Sequence, residues 1–155
     1  MTSKGPCDLC LELVSNPLYL CGVREMVAQI AKRLGFTDAQ CSQIALAIDE
    51  ALTNIMKHGY ERRTDGRIWL KLNPITDAKD PALEVIIDDE AKQVDPGQIR
   101  GRDLEDIRPG GLGVHIIKEV MDEVRYEKRA GSGMRLTMIK RQSSTLPKPA
   151  GTPKP

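Results

Sequence analysis

The chain of 155 residues is one domain's worth of sequence, and its 40% hydrophobic and 29% charged residues are the balance of a folded domain rather than a disordered one. One Trp, one Phe and three Tyr leave the core to Leu, Ile, Val, Ala and Met, and argue against the aromatic platforms of single-strand nucleic-acid binders. A net charge of +1 supplies no global field for nucleic acid or an anionic membrane.

No apolar run approaches the ~20 residues of a membrane span. Residues 1–6 lack the apolar stretch of a secretory signal, so a cytoplasmic location is expected. Leu9 to Val14 is short and apolar-rich and reads as a first strand. Ser15-Asn16-Pro17 supplies a cap residue followed by proline at a first helical position. Leu20, Val23, Val27, Ile30 and Leu34 then recur at helical spacing until Gly35 stops the pattern. Thr37 and Gln40 form an expected capping box for a second helix, which carries Ile44, Ile48, Ala51 and Ile55 on one face and ends near His58-Gly59. Arg67 to Asn73 and Leu83 to Asp88 alternate as strands. Val124 to Lys128 and Met134 to Lys140 flank the turn residues Ala130-Gly131-Ser132-Gly133 as a hairpin. A long polar stretch, Lys92 to Pro109, precedes a helix from about Gly111 to Met121, and a loop of that length inside a domain is usually functional. The chain from Gln142 onward, with Pro147, Pro149, Pro153 and Pro155, reads as a disordered tail. The order β-α-α-β-β-α-β-β implies an α+β two-layer sandwich, with helices on one face of a mixed, mainly antiparallel sheet.

Cys7 and Cys10 have the C-x-x-C spacing of half a zinc site or a redox pair. A second close pair is missing and neither His lies near them in sequence. Cys10 sits in an apolar run and Cys21 in a helical pattern, where cysteine is read as a small buried hydrophobe.

Three segments carry chemistry. In Ile48 to Gly59, the residues Glu50, Asn54 and His58 are spaced four apart and share one edge of a helix bordering its apolar face. A carboxylate and an amide partly buried there need partners, although a solvated polar face would show the same spacing. In Arg108-Pro109-Gly110-Gly111-Leu112-Gly113, three glycines precede an apolar helix. Backbone N–H groups can approach a phosphate closely there, at the positive end of the helix dipole. The segment is neither a Walker A loop nor a dinucleotide fingerprint, and its bland reading is a flexible turn. In Ile86 to Pro96, Asp88-Asp89 ends a strand, where an acid aimed into a cleft can accept from an exocyclic amine or simply make a turn.

Together these segments resemble the Bergerat ATP-binding fold of gyrase, Hsp-type chaperones, MutL-type proteins and histidine kinases. They are most similar to its anti-sigma-factor serine/threonine kinase branch, across residues 9–140. The E-A-x-T-N-x-x-K/R-H-G-Y box is matched by Glu50, Ala51, Thr53, Asn54, Lys57, His58, Gly59 and Tyr60, and the R-P-G-G-L-G-V-H run by residues 108–115. The resemblance implies ATP and Mg²⁺ as ligands, Glu50 as general base and Asn54 as the magnesium ligand. It implies that Asp89 binds adenine and that Arg108, Gly110, Gly111, Leu112 and Gly113 contact phosphate, with Ser132 in the last nucleotide box. Residues 101–108 resemble a mobile lid, whose Arg102 or Arg108 would reach the γ-phosphate. Two positions depart from the pattern: Ala91 stands where glycine is usual, and Ser132 where many relatives have threonine. Asp88 is the alternative adenine acid, but Glu90 would then crowd the backbone turn.

The resemblance thus implies three segments: an extension (1–8), an ATP-binding domain (9–141) and the tail (142–155). The implied activity is phosphorylation of an anti-sigma-antagonist protein of the STAS type. A competing sigma factor and a homodimer are further partners it suggests, with no nucleic acid and no membrane. The alternative is a non-catalytic module in which nucleotide only holds the lid in a partner-binding state. A histidine-kinase catalytic piece fits less well, since no helical pair with an acceptor histidine precedes the domain.

Overall fold

A computed structural model describes residues 7–76, 79–99 and 112–143. The proposed lid with Arg102 and Arg108, the glycines Gly110 and Gly111, and the tail beyond 143 lie outside these residues. The elements are β1 (Leu9–Val14), α1 (Leu20–Arg33), α2 (Asp38–Asn54), β2 (Arg67–Ile75), β3 (Ala82–Asp89), α3 (Leu112–Val120), β4 (Glu123–Lys128) and β5 (Met134–Arg141). Asn16 caps as expected, accepting from the Leu18 N–H at 3.0 Å. Its proline opens a short 3-10 turn, Pro17–Tyr19, which leads into α1. Gly35 ends the α1 segment with φ +99°, a left-handed conformation that costs glycine nothing. The capping box that starts α2 is closed in both directions: Gln40 N–H donates to Thr37 Oγ1 at 3.2 Å, and Thr37 N–H to Gln40 Oε1 at 3.0 Å.

The five strands form one sheet in the order β1-β2-β3-β5-β4, and each pairing among the described strands is antiparallel. Period-two alternation gives the sheet two unlike faces. Ile68, Leu70 and Leu72 of β2, Leu83, Val85 and Ile87 of β3, and Leu136 and Met138 of β5 face the helices. There they bury against Val27, Ile44, Ile48, Leu52 and Ile117. Each such side chain contributes about 1.5–3 kcal/mol on burial, so this interface holds the two layers together. α2 packs between α1 and α3, which fixes where its polar edge meets the start of α3. At the other end of α3, the buried Lys140 ammonium donates to the Val120 carbonyl at 2.7 Å, satisfying one of the orphan acceptors of the helix terminus.

One expectation is corrected. Cys10 and Cys21 are exposed, and Cys41 is the buried cysteine of the four. β1 is an edge strand whose alternation turns Cys10 to the open face of the sheet, opposite Lys71, and Cys21 lies on the solvent side of α1. Beyond β5, Gln142 and Ser143 pack back on the domain. Gln142 donates through Nε2 to the Leu34 carbonyl at 2.6 Å and accepts from Gln40 Nε2 at 3.0 Å, and Ser143 bonds Asp80. These contacts tie the end of β5 to the α1–α2 turn.

Candidate active site

The polar edge of α2 is the first component. Its α-helical turns end at Asn54, and a π-helical turn, Ile55–Gly59, completes the segment. Such wide turns often occur at functional sites. Glu50 and Asn54 are half-buried, as the pattern implied, whereas His58 is exposed. Gly113, in the first turn of α3, lies directly against them. A Cβ at Gly113 would stand 2.6 Å from Glu50 Oε2 and 3.2 Å from Asn54 Nδ2. Only a residue without a side chain lets the start of α3 approach this pair. Neither the Glu50 carboxylate nor the Asn54 amide is hydrogen-bonded to another described residue. Both are free to meet a ligand.

The second component is the end of β3. Asp89 is buried, and its Oδ1 accepts from the Ala91 N–H at 2.9 Å and the Met134 N–H at 3.1 Å. Burial pushes its carboxyl above the ordinary value, against the opposing pull of those two N–H groups and of Arg129. Its other oxygen, Oδ2, accepts no hydrogen bond among the described residues. Asp88, one residue earlier, points the other way. Lys71 Nζ donates to it at 2.9 Å and Arg135 Nε at 2.7 Å on the open face of the sheet. Burial alone would raise Asp88, but the hydrogen bonds from Arg135 and Lys71 outweigh it and hold the carboxyl below its usual range.

The turn after Asp89 is pinned by residues whose part the motifs did not reveal. The Tyr60 hydroxyl accepts from the Glu90 N–H at 2.8 Å and donates to the Arg67 carbonyl at 2.5 Å. Arg129 donates to the Asp89 carbonyl at 2.5 Å while its guanidinium lies 5.4 Å from the centre of the Trp69 ring. Gly133, at φ +83°, passes so close that a Cβ would stand 1.8 Å from the Asp89 carbonyl oxygen. Tyr60 closes the α2 box in sequence, so a signal for it existed. Arg129 and Gln93, which donates to the Arg129 and Gly133 carbonyls, carried none.

Ala91 fits without strain. Its backbone is not left-handed, and its methyl occupies space left by Gly59, where a Cβ would come within 2.9 Å of Ala91 Cβ. Between the two components lies a cavity of about 340 Å³ lined by Asn54, Gly59, Asp89, Ala91, Tyr126 and Leu136, among others. Its walls are largely apolar with few convergent polar groups, the usual character of a small-molecule site. Burial pushes the Tyr126 hydroxyl on this wall up to about 12. Glu50 sits beside the cavity, next to Asn54. Leu112 and Ser132 are exposed and are not among its lining residues. A larger groove of about 430 Å³ opens between β1 and α1, but its charged residues, Glu12 and Arg67, pair with each other at 2.8 Å. It lacks the uncommitted polar groups that mark the Asp89 cavity.

The donors present suit a nucleotide with magnesium. Asn54 and Glu50 offer hard oxygens, and among the described residues no group of three or more His, Cys, Asp or Glu could cage a metal alone. Magnesium commonly takes one or two protein oxygens and completes its shell with substrate phosphates and water.

Comparison with known proteins agrees with this geometry. The model of the histidine kinase-like ATPase domain matches residues 13–140. The serine-protein kinase RsbW of Bacillus subtilis is 27% identical over 135 residues, covering 82% of each chain. That of Halalkalibacterium halodurans is 32% identical over 126 residues, covering 76% of this chain and 73% of the relative. Among solved structures, the RsbU and RsbW domains of a Mycobacterium tuberculosis protein superpose with a TM-score of 0.58 at 19% identity, over 89% of this chain and 34% of that one. A blue-light activated histidine kinase of Erythrobacter litoralis gives 0.52 at 18% identity, over 82% of this chain and 42% of that one. These two likenesses concern the fold alone, and this chain spans less than half of either solved chain. By the family model and the identity to its relatives, the chain belongs to the histidine kinase-like ATPase domain family and, within it, to the RsbW serine-protein kinases.

Proposed function

We propose that this chain is an ATP-dependent protein serine/threonine kinase and anti-sigma factor of a partner-switching system, which phosphorylates an anti-sigma-antagonist protein of the STAS type. The observation that carries the chemistry is the meeting of an uncommitted carboxylate, Glu50, with the Asn54 amide over Gly113, beside a cavity floored by Asp89. In this reading Asp89 accepts from the exocyclic amine of adenine through Oδ2, and Ala91 and Leu136 pack on the base. Asp88 is committed to Lys71 and Arg135 on the far side of the sheet, which favours Asp89 for this role. Asn54 holds Mg²⁺, which when bound neutralises phosphate charge and helps orient the transferred group. Gly113 with Arg108, Gly110, Gly111 and Leu112 lines the phosphates, and Ser132 borders the site. Glu50 accepts the proton of the substrate hydroxyl as it attacks the γ-phosphorus, and ADP leaves.

A sigma factor competing with the STAS-type partner, a homodimer and a cytoplasmic location complete the proposal. Among the described residues no helix is long and apolar enough to cross a membrane. The test is transfer from γ-labelled ATP to a STAS-type anti-sigma-antagonist protein, with Asn54→Ala in parallel. Acid-stable label on the partner is expected, with magnesium-dependent ATP binding lost in the variant. Unlabelled partner despite tight ATP binding would leave a nucleotide-gated binding module, and acid-labile label would indicate phosphohistidine.

A further inference from the structure

The three tyrosines of the chain stand in three different situations. Tyr19 is exposed, and the Tyr60 hydroxyl is committed on both sides, to the Glu90 N–H and the Arg67 carbonyl. Tyr126 lines the Asp89 cavity, and its hydroxyl hydrogen-bonds no other described residue. Nor is its oxygen sealed inside the protein: among the described residues, Gln43 Oε1 is the buried side-chain polar atom left without a partner. A phenol whose ring packs on the core and whose oxygen stays open in a small-molecule cavity is a polar group left for a ligand. The sheet sets where it stands relative to Asp89. β5 lies between β3 and β4, and Leu136 of β5 pairs with Ile87 on one side and Tyr126 on the other. Asp89 is two residues beyond Ile87 and so shares its face of β3. Asp89 and Tyr126 therefore flank Leu136 from strands about 10 Å apart, two strand spacings. A flat base lying on Leu136 fits between them with one edge toward each. Burial pushes the phenol up to about 12, so at neutral pH it is a hydrogen-bond donor, whereas ionised Asp89 is an acceptor.

We propose that Tyr126 is a second base-reading residue of the nucleotide site: its hydroxyl donates to a ring nitrogen of adenine while Asp89 accepts from the exocyclic amine. This rests on the nucleotide-binding reading and adds to it what fixes the pose of the base. Leu136 and Ala91 offer the base apolar area but no direction. A base held at one edge by Asp89 alone can turn or slide over Leu136 to escape a mismatch. A second contact on the opposite side leaves it one pose. Adenine suits the pair, because it combines one amine donor with ring nitrogens that, apart from the glycosylated one, only accept. Guanine in the same pose turns an acceptor oxygen toward Asp89, and one of its ring nitrogens carries a hydrogen and cannot accept. Tyr126 is thereby a specificity residue on β4, remote in sequence from the α2 box and from the end of β3.

The experiment is calorimetry on the full chain and on Tyr126→Phe, with Mg·ATP and with ATP analogues in which N1, N3 or N7 of the base is replaced by C–H. Each analogue removes one ring acceptor, and phenylalanine keeps the ring that packs on the core while removing the donor. In the wild type at least one analogue should bind about threefold to tenfold more weakly than ATP, the range of a neutral hydrogen bond. Tyr126→Phe should lose ATP affinity by a similar factor and bind that analogue as well as it binds ATP, because the contact the analogue breaks is already gone. A tyrosine with a merely structural role would weaken every nucleotide alike and leave the analogue's penalty in place, which would overturn the proposal. Equal ATP affinity in wild type and variant would overturn it too, since water would then serve the hydroxyl as well as the base does. So would a wild type that binds all the analogues as tightly as ATP. A wild type that binds ATP but fails these comparisons sinks the role of Tyr126 alone, whereas one that binds no Mg·ATP sinks the nucleotide reading with it.

Discussion

Asp88 and Asp89 are consecutive in β3 yet stand on opposite sides of the sheet. Lys71 and Arg135 hold Asp88 from the open face, whereas the backbone N–H groups of Ala91 and Met134 hold Asp89 at the cavity. Both are buried, but one is paired with cations and the other with dipoles. The first is thereby committed to stability, and the second keeps an oxygen for a ligand.

This division predicts opposite phenotypes for two isosteric changes. Asp89→Asn should weaken ATP binding about tenfold or more and erode its preference over GTP, because a charge-assisted hydrogen bond is worth ~1.5–3 kcal/mol. Asp88→Asn should leave ATP affinity within about twofold and instead lower stability by a similar ~1.5–3 kcal/mol, as Lys71 and Arg135 lose their shared anion. Calorimetry and denaturant melts on both variants decide. A larger binding defect in the Asp88 variant would reverse the assignment.

The same pair predicts how acid acts. Asp89 has a raised carboxyl, so its protonated form is favoured by folding. Its contribution to stability is present at low pH and is lost as pH rises through the raised value. Asp88 is lowered, so its contribution is present above the ordinary carboxylate value and is lost as pH falls through the lowered one. On acidification from neutrality Asp89 therefore protonates first, and ATP affinity should fall while the fold persists. Only at lower pH should Asp88 protonate and the fold weaken. The check is ATP affinity and melting temperature measured together from pH 7 downward, with Asp89→Asn as reference. The affinities of wild type and variant should converge before either protein begins to unfold; parallel curves would mean that Asp89 does not titrate with binding.

How much of this was legible in the sequence depended on the range of the interaction. The alternation of Ile68, Leu70 and Leu72 and the Thr37–Gln40 box are local patterns, and the structure reproduces them. The proximity of Glu50 and Asn54 follows from helical spacing alone. That Gly113 lies on top of them depends on α3 packing against α2 across some sixty residues of chain, which no local pattern encodes. Tyr60 reaching Glu90 and Arg129 reaching Asp89 are equally long-range. Cys10 was open to either reading because burial in a strand depends on its place in the sheet, and nothing in residues 9–14 says that β1 has one neighbour. The π-helical turn at Ile55–Gly59 leaves no compositional mark either.

Gly113 yields a prediction in which stability and activity move apart. Alanine in a helix is favoured over glycine by roughly 1 kcal/mol, so Gly113→Ala should melt no lower than wild type. Its methyl would lie 2.6 Å from Glu50 Oε2, and the flexible end of that side chain must swing away. A displacement of this size at a reacting group costs about 10²-fold in rate. Transfer to the partner should therefore drop by about that factor in a protein that is as stable or more so. Unchanged transfer would place Glu50 and the start of α3 further apart during the reaction than they are here.

Glu50 itself separates a kinase from a binding module. A hydroxyl attacking the γ-phosphorus must shed its proton, and a positioned base contributes ~10²–10⁴-fold to such a step. The Glu50 carboxylate is half-buried, beside Asn54 and Gly113, and no described residue occupies it with a hydrogen bond or an ion pair. A structural carboxylate in that position would be paired, as Asp88 is. Glu50→Gln keeps the shape of the side chain and one of its oxygens but cannot accept the proton at neutral pH. ATP affinity should stay within a few-fold, since ground-state binding draws on Asp89 and Asn54, while single-turnover transfer should slow at least ~100-fold. The decrease should appear in the rate at saturating ATP and partner, not in the concentrations needed to reach it. Transfer at the wild-type rate would remove Glu50 from the mechanism. A variant that had lost ATP binding as well would make it part of the nucleotide site instead of the base.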